Sequence, residues 1–125
     1  MGSIKSYKDL LIWQKGIQIV KESYLRCENL PNNEVFGLQQ QIKRSAVSIP
    51  SNIAEGYGRN STKNYVQFLR YSLGSLYELE TQVLIAKELE MINETVLSTL
   101  SDLIVQESKM LNAFIFSVQK EKTIA

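Results

Sequence analysis

Between Leu10 and Cys27 the residues Leu10, Trp13, Ile17, Val20, Tyr24 and Cys27 recur at intervals of 3, 4, 3, 4 and 3. An α-helix has 3.6 residues per turn, so this spacing gathers them on one face, the seam of a helix packed among others. The pattern returns three times. A second helix is expected from about Glu34 to about Tyr57, with Leu38, Ile42, Ala46, Ile49 and Ile53 inward. After the break "GYGRNS", a third carries Tyr65, Leu69, Ser72, Leu76, Leu79, Val83 and Ala86 and ends near Glu90. A fourth carries Leu97, Leu100, Ile104, Leu111, Phe114 and Val118, and the tail "KEKTIA" is expected to fray. Ser61 or Asn60 can cap the third helix, and Asn93 or Thr95 the fourth. No strand-like alternation of useful length occurs. Four long helices joined by short turns imply an all-α chain, one domain over 1–125, as an antiparallel up-down-up-down four-helix bundle.

Composition excludes more than it assigns. The chain has no histidine, which removes Ser-His-Asp and Cys-His nucleophile systems, Glu-x-x-His di-iron sites and Cys/His zinc sites. It has neither a Gly-x-x-x-x-Gly-Lys-Ser/Thr loop nor a Gly-x-Gly-x-x-Gly loop. Glu55, Glu78 and Glu80 could form a carboxylate site in principle, but no activated nucleophile accompanies them. The expectation is a non-enzymatic protein without a cofactor. Cys27 is single, so no internal disulfide can form. No apolar run approaches the roughly 20 residues that span a bilayer, and no signal-peptide pattern is present, so a cytoplasmic protein is expected. The start "MGSIKS" fits the N-myristoylation pattern at Gly2, but a tag remnant or chance explains it more readily.

The stretch "SAVSIPSNIAEGYGR", Ser45 to Arg59, interrupts the regularity. Pro50 lacks an amide hydrogen and its ring clashes with the carbonyl four residues earlier, at Ala46. Inward-facing Ile42, Ile49 and Ile53 on both sides of the proline favour a kink in a continuous helix over a break. The hydroxyls of Ser45, Ser48 and Ser51 and the amide of Asn52 are placed to help satisfy the freed carbonyl. The motif Ser48, Pro50, Ser51, Asn52, Glu55 and Gly56 therefore reads as structural. Its small residues allow close helix approach, and Glu55 with Arg59 forms an i, i+4 pair.

The runs "LLIWQKG", "FGLQQQIKRSAVSIPSNIAEGYGR", "FLRYSLGSLYELETQVLIA" and "ELEMI" resemble the bacterial four-helix bundle family encoded in intervening sequences of large-subunit ribosomal RNA genes. The resemblance covers about Tyr7 to Val118. Lys43 and Ser45 stand where that family usually has arginine and alanine, and Gly16 where it usually has alanine. Asn64 replaces a usual glutamate, which leaves the Ser61-x-x-Glu capping box incomplete. The resemblance implies an up-down bundle that assembles into a homopentamer, and no established biochemical function. Accessory proteins of diversity-generating retroelements share the shape and are thought to bind nucleic acid and a reverse transcriptase through a basic surface; that role is analogy from fold.

Net charge is +1 but unevenly spread. Up to Arg70 there are ten Lys/Arg against five Asp/Glu; from Tyr71 onward there are four against eight. The basic half supplies candidate contacts to RNA or a nucleoprotein: Lys43, Arg44, Arg59, Lys63 and Arg70. Tyr57 or Tyr65 could stack on bases. The alternative is a protein-interaction scaffold using Glu78, Glu80, Glu88, Glu90 and Glu94, with no nucleic-acid role. Self-association is expected on separate grounds. Leu11, Ile12 and Ile19 on the first helix, and Val96, Leu103, Met110, Ile115 and Phe116 on the fourth, exceed what one apolar stripe per helix needs.

Overall fold

A computed structural model describes residues 3–34 and 37–124, with the side chains of residues 122–124 set aside. Met1 and Gly2, and with them the acylation pattern, lie outside the described residues. The chain forms four α-helices: α1 (Leu11–Cys27), α2 (Leu38–Tyr57), α3 (Thr62–Glu88) and α4 (Glu94–Ile124). There is no strand among the described residues. Helix α1 packs on α2 and α4, and α3 packs on the same two.

Local chemistry sets the helix ends. A single 3-10 turn, Tyr7–Asp9, precedes α1 and is closed by a capping box between Ser6 and Asp9. Helix α2 begins at Leu38 rather than Glu34, which belongs to a second 3-10 turn, Asn32–Glu34. Glu34 instead accepts from the Leu38 amide at 3.1 Å and so occupies one free donor of the α2 terminus. Ser61 Oγ accepts from the Asn64 amide at 3.1 Å, and Asn93 Oδ1 accepts from the Thr95 amide at 2.7 Å. Helix α4 runs to Ile124, past the point where the tail was expected to fray.

Helix α2 passes Pro50 without a break. The polar residues around the proline do not serve the Ala46 carbonyl, as the sequence reading had them do. Two of them, Ser45 and Ser48, tie α2 to α3. Ser45 Oγ donates to Gln82 Oε1 at 2.7 Å, and Ser75 Oγ to Ser48 Oγ at 2.8 Å. Ser72 Oγ donates to the Ile49 carbonyl at 2.8 Å. Asn52 folds back within α2, donating to the carbonyl and hydroxyl of Ser48 at 2.8 and 2.9 Å. Ser51 is exposed. Ser45, Ser72 and Gln82 are buried, so these bonds satisfy groups that would otherwise be costly to desolvate.

The inward face of α2 is the one the spacing predicts, and Ala46, Ile49 and Ile53 are fully buried. The face of α1 is not. Its buried residues are Ile12, Gly16, Ile19, Ser23 and Cys27, while Trp13, Ile17 and Val20 are half-buried and Tyr24 is exposed. The reason is size. Gly16 and Ser23 are the small residues that let α1 come close to its neighbours. The bulkier stripe falls in a groove between α1 and α2 lined by Tyr7, Trp13, Ile17, Val20, Val47 and Pro50. Ile12, Ile19 and Ile115, counted as surplus by pattern, are core; Leu11 and Phe116 remain 68% and 67% exposed.

One core residue is ionisable. Glu107 of α4 is 0% exposed, and neither carboxyl oxygen has a hydrogen-bond partner. Burial pushes its carboxyl up to about 8, against an opposing pull from Lys15.

Candidate nucleic-acid interface

The corner between α2 and α3 depends on Gly56. A β-carbon there would lie 2.8 Å from Phe68 Cβ and 3.3 Å from the Tyr65 carbonyl oxygen. No side chain fits without moving α3, so glycine lets the end of α2 lie directly on the first turns of α3. That approach brings Arg59, just past α2, over the Phe68 ring, its guanidinium carbon 4.5 Å from the centroid. The same guanidinium meets Glu55 at 2.8 Å, the i, i+4 pair expected from the sequence. Phe68 is in turn edge-on to Tyr71, with centroids 5.4 Å apart at 86°. Gln67 Nε2 donates to the Tyr71 hydroxyl at 2.8 Å and steadies a ring that is 49% exposed.

Lys63 and Arg70 are exposed on α3 and have no ion-pair partner among the described residues. The corner thus carries three cations, Arg59, Lys63 and Arg70, and the exposed ring of Tyr71, with Arg59 lying over Phe68 and Glu55 offsetting one charge. A planar ring flanked by cations can stack on a flat π-system while the cations neutralise anionic groups beside it.

Lys43 and Arg44 lie elsewhere. Ser45 meets Gln82, twelve residues along α3 from Arg70, which is roughly 18 Å at 1.5 Å per residue. Lys43 is half-buried, with Nζ 5.0 Å from the Tyr24 ring centroid, on the α1 side of α2. Burial raises the pKa of the nearby Cys27 thiol, and Lys43 opposes part of that rise. Arg44 is exposed and without an ion-pair partner among the described residues. The five basic candidates therefore form two groups, not one.

The aromatic candidates change as well. Tyr57 and Tyr65 are half-buried and edge-on to each other at 6.3 Å, and Tyr65 is edge-on to Phe114 at 6.0 Å. Burial, then Tyr57 and Glu121, pushes the Tyr65 phenol up to about 12. Both rings belong to the packing between helices. Tyr71 is the ring offered to solvent, and sequence reasoning missed it. Its signal was the i, i+3 pair Phe68 and Tyr71 beside Arg70, but the Arg59 contact that completes the cluster crosses a turn.

The remaining singled-out residues have structural places. Ser48 and Asn52 face the α2–α3 seam, and Pro50 is buried against α1. In the acidic set, Glu94 pairs with Lys87 at 3.0 Å. Glu78, Glu88 and Glu90 are exposed, and Glu80 is half-buried.

Among the described residues no helix is long and apolar enough to cross a membrane. No curated protein sequence matches the chain. A crystal structure of a protein of unknown function from the S23 ribosomal protein family of Bacteroides thetaiotaomicron VPI-5482 shares the fold, with a TM-score of 0.78 and 22% identity over 84% of this chain and 98% of that one. A family model described as 23S rRNA-intervening sequence protein matches residues 8–113. That span reaches into all four helices and includes the Gly56 corner with Arg59, Lys63 and Arg70. The chain therefore belongs to the 23S rRNA-intervening sequence protein family.

Proposed function

We propose that this protein is a non-enzymatic, cytoplasmic, self-associating helical module that binds RNA, free or within a nucleoprotein, at the α2–α3 corner. The observation that carries this reading is that exposed Arg59, Lys63 and Arg70 lie at the same corner as the exposed ring of Tyr71, with Arg59 over the Phe68 ring that packs edge-on to it. Cations supply sequence-independent attraction to phosphates, and an accessible aromatic ring supplies stacking on an unpaired base. The family description, which names a 23S rRNA intervening sequence, is in keeping with an RNA partner. In this reading the bundle is antiparallel and up-down, and α2 bends at Pro50. The partners of Ser45, Ser48 and Ile49 run in descending order along α3, Gln82, Ser75 and Ser72, as such a topology requires. Assembly into a homopentamer would cover exposed apolar residues such as Leu11 and Phe116, and would repeat the basic corner around an axis.

The test is fluorescence anisotropy with a single-stranded RNA at about 50 and 200 mM salt. Affinity should fall steeply with salt. Replacing Arg59, Lys63 and Arg70 by alanine should weaken binding across sequences and flatten the salt slope by roughly two units. Arg44→Ala serves as a control remote from the corner. No binding at low salt, or equal loss from Arg44→Ala and the triple variant, refutes the corner as the site. Light scattering tests the assembly, for which five subunits of 14.3 kDa are expected.

A second reading is a protein-interaction scaffold. It is favoured by exposed Leu84, Ile85 and Leu89 interleaved with Glu88 and Glu90 near the end of α3, a mixed apolar and acidic surface. Lysate pull-downs with nuclease-treated protein distinguish it. A protein partner lost on Leu84→Lys but kept in the basic triple variant would favour the scaffold.

A further inference from the structure

Glu107 sits where α1, α2 and α4 meet. A β-carbon at Gly16 of α1 would lie 3.5 Å from Glu107 Oε2 and 3.2 Å from Pro50 Cβ of α2. Among the described residues no hydrogen-bond donor meets either carboxyl oxygen. From α1 the charged neighbour is Lys15, whose ammonium donates instead to Gln106 Oε1 at 2.7 Å. From α2 the facing residue is Pro50, which has no N–H to offer. On α2, Lys43 is turned onto Tyr24, and Glu55 is exposed and paired with Arg59. From α3 the titratable group seen against this stretch of α4 is Tyr77, whose hydroxyl lies 3.3 Å from Ser108 Oγ. On α4 itself, Asp102 and Lys109 are exposed.

A carboxylate in this position has two remedies. Lys15 can leave Gln106 and turn inward, or water can enter between the helices. Both require α1 and α4 to separate, because Gly16, Ile12 and Ile19 close the seam on one side and Ile104 and Leu111 on the other. The α2–α3 contact is held by its own hydrogen bonds, Ser45 to Gln82, Ser75 to Ser48 and Ser72 to Ile49, and has no part in either remedy.

We propose that Glu107 is a proton-operated latch on the α1–α4 seam: the neutral acid lets the seam close over it, and release of that single proton to solvent opens α1 from α4 while α2 and α3 stay paired. The device is local, since among the described residues the buried carboxyl lies at the α1–α4 seam and the hydrogen-bonded α2–α3 seam carries none.

Amide hydrogen exchange of the full-length protein at pH 6 and pH 8, corrected for intrinsic rates, tests it. With the closed-state carboxyl near 8 and the open-state value at 4.5, opening should become several tens of fold more frequent over that interval. Amides of α1 near Gly16 and of α4 near Glu107 should lose that much protection, and at both pH values they should exchange through a lower-energy opening than those of α2 and α3 near Ser45 and Gln82, which open only with global unfolding. In Glu107→Gln the pH response should vanish. An unchanged wild-type seam, an equal response in Glu107→Gln, or seam amides that exchange only at the free energy of global unfolding overturn the latch. A measurement on the wild type alone guards against a variant that misfolds. The carboxyl carbon resonance of Glu107 should titrate far above those of the surface glutamates, and titration alongside them overturns the proposal.

Discussion

Gly16 of α1 lies so close to Pro50 of α2 that a β-carbon at position 16 would stand 3.2 Å from the proline Cβ and 3.4 Å from its Cδ. The two residues least suited to a helix interior meet face to face. Glycine contributes the missing side chain, and proline contributes a flat, rigid ring that needs no space for rotamers. The contact gives the glycine in the middle of α1 a packing role that offsets its weak helix propensity.

A pair of identical substitutions measures that contact. Gly74 is an exposed glycine inside α3, and a β-carbon there would meet nothing within 4 Å. Gly74→Ala should stabilise by up to about 1 kcal/mol through helix propensity alone. Gly16→Ala has the same intrinsic gain but presses on a buried ring that cannot rotate away, and overpacking typically costs about 1–3 kcal/mol. Gly16→Ala should therefore fall short of Gly74→Ala by about 1–2 kcal/mol in urea unfolding at fixed protein concentration. Equal gains from the two would show that α1 and α2 are not in tight contact at Pro50.

Glu107 gives the fold a defined pH dependence. Its folded-state pKa, about 8, lies above the ordinary 4.5, so the folded protein holds this proton more tightly than the unfolded chain. Below about 4.5 both states are protonated and the group adds no pH dependence; as pH rises towards 8, stability falls by about 1.4 kcal/mol per unit, then levels. Glu107→Leu removes the titration and the unsatisfied oxygens together. The stability difference between Glu107→Leu and wild type should grow steadily from pH 5 to pH 8 and then flatten. A difference that stays constant over that interval would mean the carboxyl is solvated in the folded state.

Glu107 was legible as a gap. Helix 4 spacing runs from Ile104 to Leu111 with no apolar residue at the intervening inward position, 107. The spacing of large apolar residues located all four helices and the inward faces of α2 and α3, because the bulk there is also the core. It misplaced the face of α1, where the helix approaches its neighbours through Gly16 and Ser23, which carry no hydrophobic signal. Charge along the sequence identified basic residues but not their grouping. Which cations share a corner depends on the register between α2 and α3, set by Ser45–Gln82, Ser75–Ser48 and the glycine contact at position 56. Those are contacts between residues 23 or more positions apart in the hydrogen-bonded cases, and no periodicity within one helix encodes them.

The turn from α3 to α4 holds a residue under backbone strain that sequence composition does not explain. Glu90 has φ 57°, and among the described residues it is the one non-glycine with positive φ. The hydrogen bonds define why. The Met91 amide donates to the Ala86 carbonyl at 2.9 Å and the Glu90 amide to the Lys87 carbonyl at 3.0 Å, a Schellman closure that requires a left-handed residue between them. Glycine usually fills that place because an L side chain there costs roughly 1–2 kcal/mol. The Glu90 side chain is exposed and makes no ion pair among the described residues, so its removal loses no contact there. Glu90→Gly should relieve the strain, offset in part by the greater freedom of glycine in the unfolded chain, for a net gain of about 1 kcal/mol. Glu90→Asn should gain less, and Glu90→Val should lose stability, since a β-branched side chain tolerates positive φ worst. Thermal melts at one protein concentration rank the three. Stability ordered Gly, Asn, wild type, Val would establish the strain, and a loss on Glu90→Gly would show that the left-handed turn is not the native one.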